Sequence, residues 1–318
     1  MTRRIRIPGV VDLVRIDEPD VIAQVSREKR LDRDFVETGP FLNRYIARRV
    51  RQILQVDGTP LPSVAPRDYV HRAEKQAALE ENLKQLLANG DPAPDHLDAL
   101  AAYVKGVGGD ATVGMAAQEA IGRLFVSDYR GTGKTWRAAC IFDAAPRNFN
   151  PLRGIMWALT AAVWRARRTL ARAVKDNPAG MHATGIAVHS LVRSLKAMRE
   201  LWHEPGARDR LNADAAVARS LRAPEQVLRQ WAAPAVTGLG EMRPGALTML
   251  QLDAARTREP GTEIVFMSES WSRCPATLWV AALLRAVWTR AGGAPAAAAS
   301  APGAAPAAKA ARAAGVAP

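Results

Sequence analysis

Phe266 to Trp288, FMSESWSRCPATLWVAALLRAVW, sets one cysteine in a polar loop directly before an apolar helical run. Pro275 suits the first helical position, because the N–H that proline lacks would be unpaired there in any case. Ala276, Leu278, Trp279, Ala282, Leu283, Ala286 and Val287 then recur at helical spacing. The pattern predicts a helix with Cys274 at or beside its N-terminus. Free N–H groups and the helix dipole there favour thiolate over thiol. Such a thiolate can be a nucleophile, a redox centre or an iron ligand, and this stretch alone leaves all three open.

The chain of 318 residues is 48% hydrophobic, enough for a sizeable core in one or two domains. Its formal net charge is +13, carried by 36 Arg and 8 Lys. That excess would attract acidic partners such as nucleic acid, anionic lipid or an acidic protein. Solvated helix faces are the plainer reading. Cys140 and Cys274 are the only cysteines, which excludes a disulfide framework and a Cys-rich zinc pattern and fits a reducing compartment. The basic N-terminus is followed by no long apolar core, and no run of about 20 apolar residues occurs. The expectation is a soluble, cytoplasmic protein without a signal peptide or membrane span.

Val10–Ile16 predicts a short strand, and Asp17-Glu18-Pro19-Asp20 a turn into a helix burying Val21, Ile22 and Val25. Helices are expected over 41–56, 69–87, 96–107, 113–125, 152–174, 179–202 and 213–231, the last interrupted around Ala223-Pro224, and a buried strand over 246–252. Segment 57–66, with Pro60, Pro62 and Pro66, reads as loop. Gly131 to Thr135 ends like a phosphate-binding loop, but the glycine required five residues before Gly133 is Asp128, whose charge opposes phosphate. His182 and His189 are seven apart and lack a third convergent ligand, which argues against a metal site. From Ala291 the chain is almost wholly Ala, Pro and Gly and is expected to be a disordered tail over 291–318, after a single domain over 1–290. The fold class is mainly α with a few short β strands.

Several of these pieces, in this order, resemble the cytochrome P-450 (haem-thiolate monooxygenase) superfamily. VVDLVRIDEPDVIAQV resembles its first strand and B helix. Ala179-Gly180 through Thr184 resembles the I helix that lies over the haem on the oxygen side. Gln226 to Arg229 sits where the Glu-x-x-Arg of the K helix would be, and RPGALTMLQLDAAR is similar to the strand after it. SRCPATLWVAALL resembles the cysteine loop and L helix.

The resemblance implies a shortened single domain of that fold with haem as cofactor. Cys274 would be the axial iron ligand, and Thr184 the oxygen-pocket residue with His182 beside it. Ala179 and Gly180 would make room above the haem, and Arg229, Arg273 and Trp271 would hold its propionates. The implied reaction is oxygen insertion into a small apolar organic substrate, as a monooxygenase or peroxygenase, fed by an acidic redox partner such as a ferredoxin. Ser270 and Ala276 stand at glycine positions of the family's cysteine loop, and His182 and Ala183 replace the acid and first Thr of its I helix. The lost cysteine-loop glycines, with Gln226 in place of the Glu-x-x-Arg acid, suit a second reading, a non-catalytic relative acting as partner or scaffold. A third, a basic helical nucleic-acid-binding protein, rests on charge alone and lacks a base-reading motif.

Overall fold

The computed structural model describes residues 2–294 apart from 149, 260, 261 and 269, so the expected tail lies outside the described residues from position 295 onward. The chain opens with strands β1 (Arg3–Ile7) and β2 (Val11–Ile16), helix α1 (Pro19–Ser26) and the short strand β3 (Leu31–Asp32). Helix α2 (Phe41–Leu54) and a hairpin of β4 (Gln55–Val56) and β5 (Thr59–Pro60) follow. A long helical region then runs through α3 (Arg72–Ala88), α4 (Pro94–Val104), α5 (Asp110–Gly122), α6 (Gly133–Ala144), α7 (Pro151–Leu159) and α8 (Ala162–Ala173). One continuous rod is formed by α9 (Pro178–His182), a π-helical stretch at Ala183–Ala187 and α10 (Val188–Trp202). The remainder is α11 (Ala207–Arg210), α12 (Ala213–Ser220), β6 (Val227–Trp231), β7 (Ala235–Thr237), β8 (Gly240–Met242), β9 (Leu247–Leu250), α13 (Leu252–Arg258), α14 (Thr262–Phe266) and α15 (Thr277–Ala291). The expected mainly helical class with short strands is what the chain adopts.

Five strands form one sheet in the order β1-β2-β9-β6-β3. Its centre joins the two ends of the chain: β2 runs parallel to β9, with Leu13 opposite Leu247 and Ile16 opposite Leu250. Strand β6 lies antiparallel to β9, and Leu31 of β3 stands opposite Trp231. Trp231 is fully buried, and its indole Nε1 donates to Thr248 Oγ1 at 2.9 Å, so its one polar atom is satisfied in the core.

The main core lies where α10 packs among α4, α5, α12 and α15. Leu191, Leu195 and Met198 of α10 meet Leu283, Leu284, Val287 and Trp288 of α15. These positions recur every three or four residues, which gives one apolar stripe per helix. A smaller core joins α2, α6 and α8 through Ala47, Val50, Phe142 and Leu170.

Two expectations change. The helix expected over 152–174 is two, because Ala161 turns left-handed (φ 49°) between α7 and α8. The helix expected over 213–231 stops at Ser220, and Val227–Trp231 is a strand, so Gln226 to Arg229 does not form a helical Glu-x-x-Arg turn. Pro224 enforces the stop: it has no N–H for a continuing helix, and it disfavours the helical conformation at Ala223. The Gly133-Lys134-Thr135 run is the first turn of α6. Thr132 and Thr135 close a reciprocal capping box there, and Asp128 pairs with Lys175 at 2.9 Å.

Asn43 ties α2 to the sheet. It is wholly buried; its Nδ2 donates to Asp12 O at 2.7 Å and Gly245 O at 2.8 Å, and its Oδ1 accepts from Asp12 N at 3.3 Å. Asn43→Ala leaves these backbone groups unpaired in the core. It should lower stability by about 3 kcal/mol, read as a shift of the urea midpoint at constant slope.

Candidate functional site

The segment that ends in Cys274 is held by serines. Met267, left-handed at φ 50°, turns the chain out of α14, and Ser270 N donates back to Met267 O at 2.9 Å. Ser270 Oγ donates to Ser26 O at 3.2 Å and lies 2.9 Å from Ser272 Oγ, while Ser272 N donates to Ser270 Oγ at 3.1 Å. Cys274 N donates to Phe266 O at 2.9 Å, and Thr277 Oγ1 donates to Cys274 O at 2.9 Å. Helix α15 begins at Thr277, so the cysteine sits in the loop three positions before it. The cysteine is half-buried. Burial pushes its pKa up, opposed by the Ala276 N–H and then by the Arg33 charge. The sequence predicted a stabilised thiolate; desolvation reverses that direction.

Around this loop the structure brings together three arginines from separate parts of the chain. Arg33, just after β3, donates from Nη1 to Pro62 O at 2.6 Å and from Nη2 to Ser272 O at 3.0 Å. Arg229, on β6, donates from Nη1 to Leu228 O at 2.8 Å and from Nη2 to Ser272 Oγ at 3.3 Å. Arg72, at the start of α3, donates to Ala65 O and to Pro66 O. Two of them lie against Trp271, with Arg33 5.3 Å and Arg72 4.8 Å from its ring centre.

Among the described residues, no carboxylate comes within 4 Å of any of the three guanidiniums. Nε of Arg33 and of Arg72 have no hydrogen-bond partner. All three pKa values are lowered, first by burial. Repulsion from Arg229 and Arg72 adds to this at Arg33, and Arg229 falls to about 9 with Arg72 as its repelling neighbour. Asp32 is the acid that acts in the other direction on each. Its oxygens are taken by the backbone N–H groups of Arg33 and Arg67.

His182 belongs to the same neighbourhood. Its pKa drops to about 4, first through burial and then through the charges of Arg33 and Arg72, so the ring is neutral near pH 7. Its Nδ1 is buried without a partner. Thr184 lies two residues on, roughly on the opposite side of the rod, and is packed against α5 and α6. Its Oγ1 donates to Gly180 O at 2.8 Å, and Gln118 Nε2 donates to Thr184 O at 3.0 Å and Thr135 O at 3.1 Å. The Tyr129 hydroxyl lies near the Thr184 and Thr135 side chains, and burial pushes its pKa up to about 12.

A Cβ on Gly180 would meet Phe125 Cβ at 3.1 Å and Val174 Cβ at 3.2 Å, so the missing side chain admits those neighbours. Ala179, half-buried, gives its N–H to Asn177 Oδ1 at 3.0 Å in the α9 cap. Arg273 points outward to Glu80, with Nη2 to Oε2 at 3.0 Å, and its carbonyl accepts from Gln76 Nε2 at 2.9 Å.

Of the residues singled out in the sequence, Cys274, Arg229, Trp271 and His182 therefore share one part-buried neighbourhood. Arg273, Thr184 and Gly180 face elsewhere. Arg33, Arg72, Ser270 and Ser272 were missed as site residues. Nothing in their local sequence separates the two arginines from the other 34.

The residues fit haem in two respects. A half-buried thiol beside an N–H donor suits an iron ligand, and three guanidiniums, two buried and one half-buried, with no carboxylate among the described residues within 4 Å suit the two carboxylates of a haem.

No family model and no curated protein matches the chain. Solved structures do. CYP175A1 from Thermus thermophilus is 16% identical, covers 91% of this chain over 83% of its own, and superposes with a TM-score of 0.58. CxnD, the cytochrome P450 for C–S bond formation in chuangxinmycin biosynthesis, is 12% identical over 88% of this chain and 79% of its own, with a TM-score of 0.55. A 6-coordinated cytochrome P450, from another strain of Thermus thermophilus, is 15% identical over 88% of this chain and 84% of its own, with a TM-score of 0.51. With the strand order, the long rod through His182 and the cysteine loop before the last helix, these likenesses identify the chain as a divergent, shortened version of the cytochrome P450 fold.

Proposed function

We propose that the chain binds haem through Cys274 and serves as a haem-thiolate oxidoreductase acting on a small apolar organic molecule. The observation that carries this reading is the gathering of buried Arg33 and Arg229 with half-buried Arg72, no carboxylate among the described residues lying within 4 Å of them. Burying one unpaired charge costs several kcal/mol. Three in one place are a site for a ligand with at least two negative charges. A cysteine and an aromatic ring among them narrow that ligand to one that also presents a metal and a flat face.

Arg33, Arg72 and Arg229 would hold the propionates, with Trp271 stacked under two of the guanidiniums. Cys274 would lose its proton on ligating iron, and the Ala276 N–H would donate to its sulfur. Bound there, haem would supply oxygen activation. The protein's remaining task is to exclude water and manage protons. His182, held neutral by burial and by two neighbouring cations, has one ring nitrogen free of protein partners. That nitrogen would accept or relay a proton where the family uses an acid. Electrons would come from an acidic donor such as a ferredoxin, drawn by the net charge of +13.

The positions of Gly180 and Thr184 favour a second reading in which haem is bound without oxygen insertion. Phe125 and Val174 occupy the space beside Gly180, and the Thr184 hydroxyl is spent on Gly180 O.

Expression with haem precursor, reduction and addition of carbon monoxide tests the first statement. A band typical of thiolate-ligated ferrous haem is expected, lost in Cys274→Ala and kept in Cys140→Ala; no haem uptake by the parent chain would overturn it. A band without substrate oxidation would leave the second reading. Arg229→Met separates the ligand from the fold. Without haem it should match the parent in stability or exceed it by about 1 kcal/mol, because one uncompensated charge is gone. Its haem affinity should nevertheless fall at least about tenfold, measured by titration of the apoprotein.

A further inference from the structure

Helix α7 leaves its apolar side uncovered. Leu152, Ile155, Met156 and Leu159 are spaced as one face of the helix; Leu152 is 77% exposed and Leu159 83%. Trp157 points the other way and is buried, with the Arg153 guanidinium 4.5 Å above its ring. Just past the turn at Thr160-Ala161, Trp164 is half-exposed under Arg168, 5.1 Å away. The same turn opens onto a groove of about 630 Å³ between α6 and α8. Its floor includes Ala138, Ile141 and Ala166, and its polar groups include Lys134, Arg137 and Arg165. None of these three cations has a side-chain ion pair among the described residues.

We propose that the α7 face and the α6–α8 groove form a docking surface for an anionic phospholipid membrane. Four large apolar side chains on one face, a tryptophan beside them and arginines at the border match a helix that lies in a bilayer interface. Lys134, Arg137 and Arg165 supply unpaired positive charge next to that face, where a phosphate headgroup would sit above buried acyl chains. A second copy of the chain is a poorer occupant. A two-fold contact through this face would set the same arginine border against itself. An uncharged bilayer would leave the three groove cations without partners. No helix among the described residues is long and apolar enough to cross a membrane, so the contact is peripheral.

The full chain is tested by co-flotation with phosphatidylcholine vesicles made with and without phosphatidylglycerol. Binding is expected only to the anionic vesicles and should fall as salt is raised. Leu152→Glu combined with Leu159→Glu should abolish it with unchanged far-ultraviolet circular dichroism, since both positions are exposed. Lys134→Ala combined with Arg137→Ala should weaken it roughly 30-fold. Absence of flotation, equal binding to both vesicles or full binding by the double glutamate variant would overturn the proposal. So would a concentration-dependent dimer in size-exclusion chromatography that the glutamates dissolve, which would give the face to a second copy.

Discussion

Three guanidiniums that repel one another are forced into one part-buried neighbourhood, and the loop carrying Cys274 is built against them. Arg33 reaches the loop through Ser272 O and Arg229 through Ser272 Oγ, so the cysteine's approach is pinned from two sides by cations. Each guanidinium gains backbone carbonyls but no carboxylate. Partial solvation of this kind holds the charges in place without neutralising them. The rest of the fold, particularly the pairing of β3 with β6, brings Arg33 and Arg229 together.

The loop solves with side chains a problem that glycines solve elsewhere by conformation. Ser270 and Ser272 form a small hydrogen-bonded knot that reaches Ser26 at the end of α1, and Met267 accepts the one left-handed turn. A hydroxyl knot is specific about where the chain goes, because each buried oxygen needs its partner. It is also bulkier than glycine, so any ligand against the loop meets serine side chains rather than bare backbone.

Much of the architecture was legible because burial writes itself into helical periodicity. The apolar spacing of Ala276 to Val287 gave α15, and that of Leu191, Leu195 and Met198 belongs to a helix expected at nearly its observed limits. Failures came where one residue outweighs periodicity. Ala161 adopts a left-handed conformation that no local signal marks, and beyond the interruption expected at Pro224 the apolar pattern continues as strand β6 rather than as helix. Helix α6 was not expected, although Thr132 and Thr135 have the spacing of a cap. The site was half legible. Cys274 stands out because cysteine is rare here and its context is distinctive. Arg33 and Arg72 do not, since in a chain with 36 arginines only the third dimension tells a buried one from a solvated one.

The pairing of β2 with β9 has a consequence for how the protein comes into being. Strand β2 cannot find its parallel neighbour until more than two hundred further residues have been made. Contacts of such sequence separation form late and carry a large loop-closure cost. The helices from α3 to α10 can pack while Val14 and Ile16, both fully buried in the finished sheet, remain uncovered. Birth of this protein therefore includes an interval in which its N-terminal hairpin is an open, sticky edge, closed only when nearly the whole described chain has emerged.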